Sequence, residues 1–210
     1  IVGLLILKSC LNEDKGPAVY LCPDNYLAKQ VRDEAQNLGL STTTDPRSPR
    51  FQSGESILVT NIYKLVNGLS QFGVRVIDIN IGSVAVDDVH ACIGDTEKQF
   101  TLTLGKNVVE ELLALFESDL REQSPGGLHA IKRGDPSREL LVPYWAWQRE
   151  VDQVRDIISS KADSNTLSYQ WPLTNDVLEN AWCFISGSSS EVAFRSLPID
   201  LIPSLEEAER

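Results

Sequence analysis

At 210 residues, with 42% hydrophobic and 23% charged side chains, the chain is long enough for one well-buried core with room for an inserted subdomain. A net charge of -11 argues against a generic polyanion binder, because non-specific nucleic-acid affinity comes from neutralising phosphates. Only seven apolar residues precede Lys8 and the four cysteines (Cys10, Cys22, Cys92, Cys183) form no C-x-x-C pair, so a membrane span, a signal peptide, a zinc site and a disulfide framework are all disfavoured.

Ile1 to Asn12 is apolar nearly all round before turning polar, as expected of a buried helix that reaches the surface. Ala18 to Cys22 (AVYLC) predicts a buried strand closed by Pro23. Asp24 can cap the helix that follows, which carries Leu27, Val31, Ala35 and Leu38 at intervals of three and four and has Gly39 just past its end. Residues 41–54 are rich in Ser, Thr and Pro and read as an exposed loop. Ile57 to Thr60 predicts a third apolar segment in strand form, and Ile62 to Asn67 a short helix ended by Gly68. Residues 72–81 fit either a strand or an extended lead-in. Ser83 to Val86 then gives a short β-branched strand that ends in Asp87, Asp88 and, two residues on, His90. Strands that are apolar throughout and alternate with helices imply an α/β fold with a mostly parallel sheet.

Beyond Asp95 the pattern becomes helical. Asn107 to Arg121 and Trp145 to Ala162 predict amphipathic helices, Ser124 to Ser137 a Gly/Pro-containing break that leaves His129 in solvent, and Thr174 to Asn180 a short third helix. Trp145 and Trp147 open the second of these helices, a placement that suits either core packing or the stacking of bases. Trp182 to Ser186 and Val192 to Phe194 read as two strands facing each other across a turn. The charge is uneven: residues 1–95 carry 8 Lys and Arg against 11 Asp and Glu, whereas residues 96–210 carry 11 against 19. An anion-binding surface is therefore expected in the first half.

Three strand ends carry polar signatures in a fixed order: CPDNYLAKQV at 22–31, ILVTNIYKLVNG at 57–68 and VAVDDVHAC at 84–92. In that order they resemble the first half of the motor core of superfamily-2 DEAD/DEAH-box helicases. Pro23, Leu27, Ala28 and Gln30 match motif Ia, Thr60 and Asn61 sit at motif Ib, and Asp87, Asp88 and His90 occupy the D-E-x-H positions of motif II. The resemblance implies a RecA-like P-loop NTPase sheet, with helices on both faces, over residues 1–95, a largely helical insertion over 96–180 and a return to the lobe over 181–210. It also implies ATP and Mg²⁺ as cofactors, and single-stranded DNA or RNA and a second RecA-like lobe as partners; the scattered cysteines, for their part, fit a reducing cytoplasm. Neither a Walker A loop nor the S-A-T of motif III falls within the sequence. The lack of methionine, the apolar start and the uncapped SLEEAER end lead to the expectation that both termini are cuts in a longer chain, inactive as an isolated piece.

By the same resemblance Asp87 holds Mg²⁺ through water, Asp88 orients the attacking water and His90 relays the nucleotide state to the nucleic-acid side. Pro23, Asn25, Lys29, Gln30, Thr60, Asn61 and Lys64 grip a sugar-phosphate backbone without reading sequence. Two positions depart from the family: Asp88 stands where Glu is usual and is one methylene shorter, and Asp24 replaces a threonine. Two other readings share these residues, a non-catalytic RecA-like interaction module and a Mg²⁺-dependent phosphohydrolase.

Overall fold

The computed structural model describes residues 1–187 and 189–194, which divide into two compact units at residues 99 and 100. The first unit runs α1 (Val2–Asn12), β1 (Ala18–Cys22), α2 (Asn25–Asn37), β2 (Thr42–Thr43), α3 (Pro49–Gln52), β3 (Ile57–Asn61), α4 (Ile62–Leu65), β4 (Ser83–Val86) and α5 (Val89–Gln99). Its sheet has the order β2-β3-β1-β4, and all three strand pairs are parallel. β1 is buried along its whole length and β3 along all but its last residue, which is why both read as unbroken apolar runs rather than as alternating ones. Tyr20, Cys22, Ile57 and Val59 pack on one face against Leu4 and Leu7 of α1 and Ala28, Val31 and Ala35 of α2. Asp24 caps α2 as expected, its Oδ1 accepting the Leu27 N–H at 2.8 Å, and Gly39 takes the left-handed φ of +69° just beyond the helix.

Three expectations for this unit change. The first helix is not buried all round: it lays Leu4 and Leu7 on the sheet and leaves Val2, Leu5 and Ile6 more than half exposed, because a helix on one face of a sheet can bury only one stripe. Residues 41–54 are not simply loop. They add β2 and α3 and are anchored by Phe51, which is fully buried. Residues 72–81 form no strand. They bend through Gly73 at φ +95°, where a Cβ would lie 1.8 Å from the Val76 carbonyl oxygen.

The second unit runs β5 (Leu102–Leu104), α6 (Lys106–Leu115), α7 (Glu117–Gln123), α8 (Pro125–Lys132), β6 (Glu139–Leu141), α9 (Tyr144–Lys161), a π-helical turn at Thr166–Gln170, α10 (Trp171–Thr174), a 3-10 segment at Asn175–Asn180, β7 (Ala181–Ser186) and β8 (Ser190–Phe194). Its sheet is antiparallel, with the order β5-β8-β7-β6. Trp147 is in its core, stacked on Phe116 with ring centroids 6.2 Å apart and donating Nε1–H to the Leu178 carbonyl at 2.9 Å. Trp145, two residues earlier, is 70% exposed.

Here the sequence expectations shift in four places. The helix expected over 107–121 ends at Leu115 and restarts at Glu117. The expected break at 124–137 contains α8, for which Pro125 supplies the first residue and the Ser124 Oγ accepts the Gly127 N–H at 3.3 Å. His129 thus lies on a helix, though exposed as expected. The return of the chain to the parallel sheet does not occur through Phe194: β7 and β8 face each other as predicted, but they pair with β5 and β6 and complete the second unit. The rest of that stretch, 195–210, lies outside the described residues.

Candidate functional site at the carboxyl rim of the parallel sheet

Register fixes where the three strand ends meet. Cys22 lies beside Asn61, and Leu21 beside both Thr60 and Val86, so the loops after β1, β3 and β4 leave the sheet at the same end. Open α/β sheets bind ligands at that end. The Asp87 N–H donates to the Leu21 carbonyl at 2.8 Å and holds the first residue of the β4 loop against β1.

The two acids after β4 have different surroundings. Asp87 is half-buried, and among the described residues no side-chain hydrogen bond engages its carboxylate. Asp88 is exposed, holds a left-handed φ of +46°, and caps α5: its Oδ1 accepts the Ala91 N–H at 3.2 Å and its carbonyl accepts the Cys92 N–H at 3.0 Å. His90 is exposed on the first turn of the same helix.

The negative charge of Asp87 reaches several buried neighbours. Burial first, and then Asp87, pushes the Tyr20 hydroxyl and the Cys22 thiol each up to about 12. Burial, followed by Asp88, Asp95 and Asp87, pushes Cys92 up to about 11, and its Sγ–H donates to the Asp87 carbonyl at 3.3 Å. All three groups are therefore neutral at ordinary pH, and neither thiol is a nucleophile. Among the described residues no group of three or more His, Cys, Asp or Glu could cage a metal ion. One half-buried carboxylate at a strand end nevertheless fits Mg²⁺, which keeps several waters and takes its remaining ligands from substrate phosphates.

The loops after β1 and β3 are joined. Asn61 Nδ2 donates to Asn25 Oδ1 at 2.8 Å, while Asn61 Oδ1 accepts the Lys64 N–H at 3.1 Å and caps α4. Lys29, Gln30 and Lys64 are exposed, with Gln30 Nε2 donating to the Tyr26 hydroxyl at 3.2 Å. Two residues expected to touch a strand do not reach the surface. Pro23 is buried, and Thr60 is 4% exposed with no hydrogen-bond partner for its hydroxyl among the described residues. Both faces of β3 are covered, so Thr60, on the face opposite Ile57 and Val59, is buried as Leu58 is.

Sequence reading missed the tie between α4 and α5. Asp95 is held below the usual carboxylate range by the hydrogen bond from Lys98, at 2.7 Å, and by that from the Tyr63 hydroxyl. Residues 32 apart in sequence leave no periodic signal of such a contact.

No protein-family profile, characterised protein or solved structure compared with this chain matches it. Among the described residues no helix is long and apolar enough to cross a membrane.

Proposed function

We propose that this chain is part of an ATP-dependent nucleic-acid helicase or translocase, a first RecA-like motor lobe carrying the second unit as an insertion. The observation that supports this reading most is the shared rim: residues from three separate motifs, in the order 22–31, 57–68 and 84–92, come together at the carboxyl end of one parallel sheet. A motor needs that adjacency, because nucleotide state and strand grip must be read by neighbouring loops. When bound, ATP with Mg²⁺ supplies the phosphoanhydride whose cleavage drives stepping. Asp87 is the residue to hold the ion, since its carboxylate alone of the pair is uncommitted. Asn25, Asn61, Lys29 and Lys64 present amides and ammonium groups for phosphate contacts that carry no sequence information. The Asn25–Asn61 hydrogen bond makes the two loops one surface.

The experiment is a titration of 12-nucleotide single-stranded DNA and RNA, fluorescently labelled, with the purified chain at low salt. Binding is expected to weaken as salt rises, and the double variant Asn61→Ala/Lys64→Glu to lower affinity about tenfold. Full affinity in that variant, or no binding at 50 mM salt, would refute the strand-gripping role.

One observation favours the non-catalytic module as a second reading. The carboxylate that should orient water is instead turned back to cap α5. Turnover by the full-length protein separates the two.

A further inference from the structure

The rim of the first unit carries residues suited to hold an ion after β4 and residues suited to grip a strand after β3, and one side-chain contact runs between the helices that follow them. The gripping turn α4 is four residues long, too short to persist on its own backbone hydrogen bonds. Burial of Ile62 and Leu65 fastens it to the core, and two polar ties set where it lies. On one side Asn61 bonds Asn25 of α2 at 2.8 Å. On the other the Tyr63 hydroxyl donates to the Asp95 carboxylate of α5, which also accepts from Lys98 at 2.7 Å. The Asp95 side chain is only 16% exposed, so water competes little for these charge-assisted bonds.

Helix α5 is the lever on which Asp95 sits. Its start is bound to the two acids of the β4 loop three times: the Ala91 N–H donates to Asp88 Oδ1 at 3.2 Å, the Cys92 N–H to the Asp88 carbonyl at 3.0 Å and the Cys92 Sγ–H to the Asp87 carbonyl at 3.3 Å. The rest of the helix is held lightly. Of its 11 residues only Cys92 and Thr96 are buried, Val89 and Ile93 stand about half exposed, and its chief neighbour among the elements is α4 rather than a strand. A helix with so few buried contacts shifts at low cost. Asp95 lies about 10 Å along the axis from Asp88, and a rigid helix carries a displacement over that distance undiminished. A good hydrogen bond tolerates a change in length of roughly 0.5 Å. A movement of about 1 Å at residues 87–88 therefore either draws α4 along or breaks the Tyr63 bond, and both results alter where Asn61 and Lys64 stand.

We infer that the Tyr63–Asp95 hydrogen bond couples the ion site at Asp87 to the strand-gripping turn α4, with Tyr63 as a positioning residue rather than a contact to either ligand. The inference rests on the motor reading and adds to it the route by which one loop responds to the other.

The experiment measures the affinity of the full-length protein for labelled 12-nucleotide single-stranded DNA and RNA at constant Mg²⁺, with and without a non-hydrolysable ATP analogue. The ratio of the two affinities is the coupling; a residue with a structural role only changes both affinities alike and leaves the ratio in place. In the parent the ratio is expected to differ from one by about tenfold. Tyr63→Phe keeps the ring and removes only the hydroxyl, and should bring the ratio to within about twofold of one. Asp95→Ala should do the same, whereas Asp95→Asn, which still offers Tyr63 an acceptor, should keep the parent's ratio. A parent ratio retained by Tyr63→Phe, or affinities lowered equally in both conditions, overturns this inference and leaves the motor reading standing. A parent whose strand affinity ignores the nucleotide removes the motor reading, and this inference with it.

Discussion

Asp88 has a structural duty and a proposed catalytic one, and substitution can separate them. It stands before the 11-residue helix α5 with φ +46°, and its carboxylate accepts the Ala91 N–H at 3.2 Å. Asparagine keeps both an oxygen in the same place and tolerance of the left-handed region, so Asp88→Asn is expected to stay within about 0.5 kcal/mol of the parent. Alanine keeps neither: loss of the cap costs about 1 kcal/mol and a Cβ held at positive φ about 1 kcal/mol more, or about 2 kcal/mol in all. Glycine forfeits the cap but not the backbone conformation, so Asp88→Gly should fall between them, near the asparagine variant. Urea unfolding followed by far-ultraviolet circular dichroism reads these differences as shifts in midpoint at constant slope. An alanine variant as stable as the asparagine one would refute both the cap and the backbone argument. In the full-length protein the asparagine variant then tests catalysis with stability held fixed. Loss of nucleic-acid-stimulated ATP turnover assigns Asp88 to the reaction, and unchanged turnover leaves it only the cap.

Gly82→Ala should destabilise the first unit by more than about 2 kcal/mol, because the new Cβ would lie 2.4 Å from the Gly16 carbonyl oxygen and 2.6 Å from that of Lys15, both backbone atoms with nowhere to go. An unfolding midpoint equal to the parent's would contradict that geometry. In the second unit, Asp119 has a side chain only 11% exposed that accepts from Arg149 at 2.9 and 3.3 Å, and these bonds hold its carboxyl below the usual range. Since the folded value lies below the unfolded one, this stabilisation is complete at neutral pH and is lost as pH falls through the folded value; Asp119→Asn should therefore show lower stability at pH 7 and a flatter decline below about pH 4, measured as urea midpoints across pH. A decline as steep as the parent's would take Asp119 out of the acid response.

Local pattern carried far in the first unit. AVYLC and ILVT are buried on both faces, so their unbroken apolar character survives as a sequence signal, and Asp24 and Gly39 bracket α2 with chemistry that works over four residues. The α4–α5 tie through Tyr63 and Asp95 left no comparable trace, nor did the burial of Thr60, whose composition is that of an exposed rim residue. In the second unit, β5 and β6 are three residues each and their pairing partners lie 40 to 90 residues away, too short and too distant for periodicity to reveal.

The sequence by itself determined the kinds of element in the first unit, their order, and the polar residues at three strand ends, because each depends on side chains within a turn or two of one another. Tertiary structure alone decided that those ends share a rim, that Thr60 is covered, and that β7 and β8 pair with β5 and β6 in a separate sheet. Those outcomes depend on which strand lies beside which, and hydrogen bonding between strands is set by the packing of the whole unit rather than by any one segment.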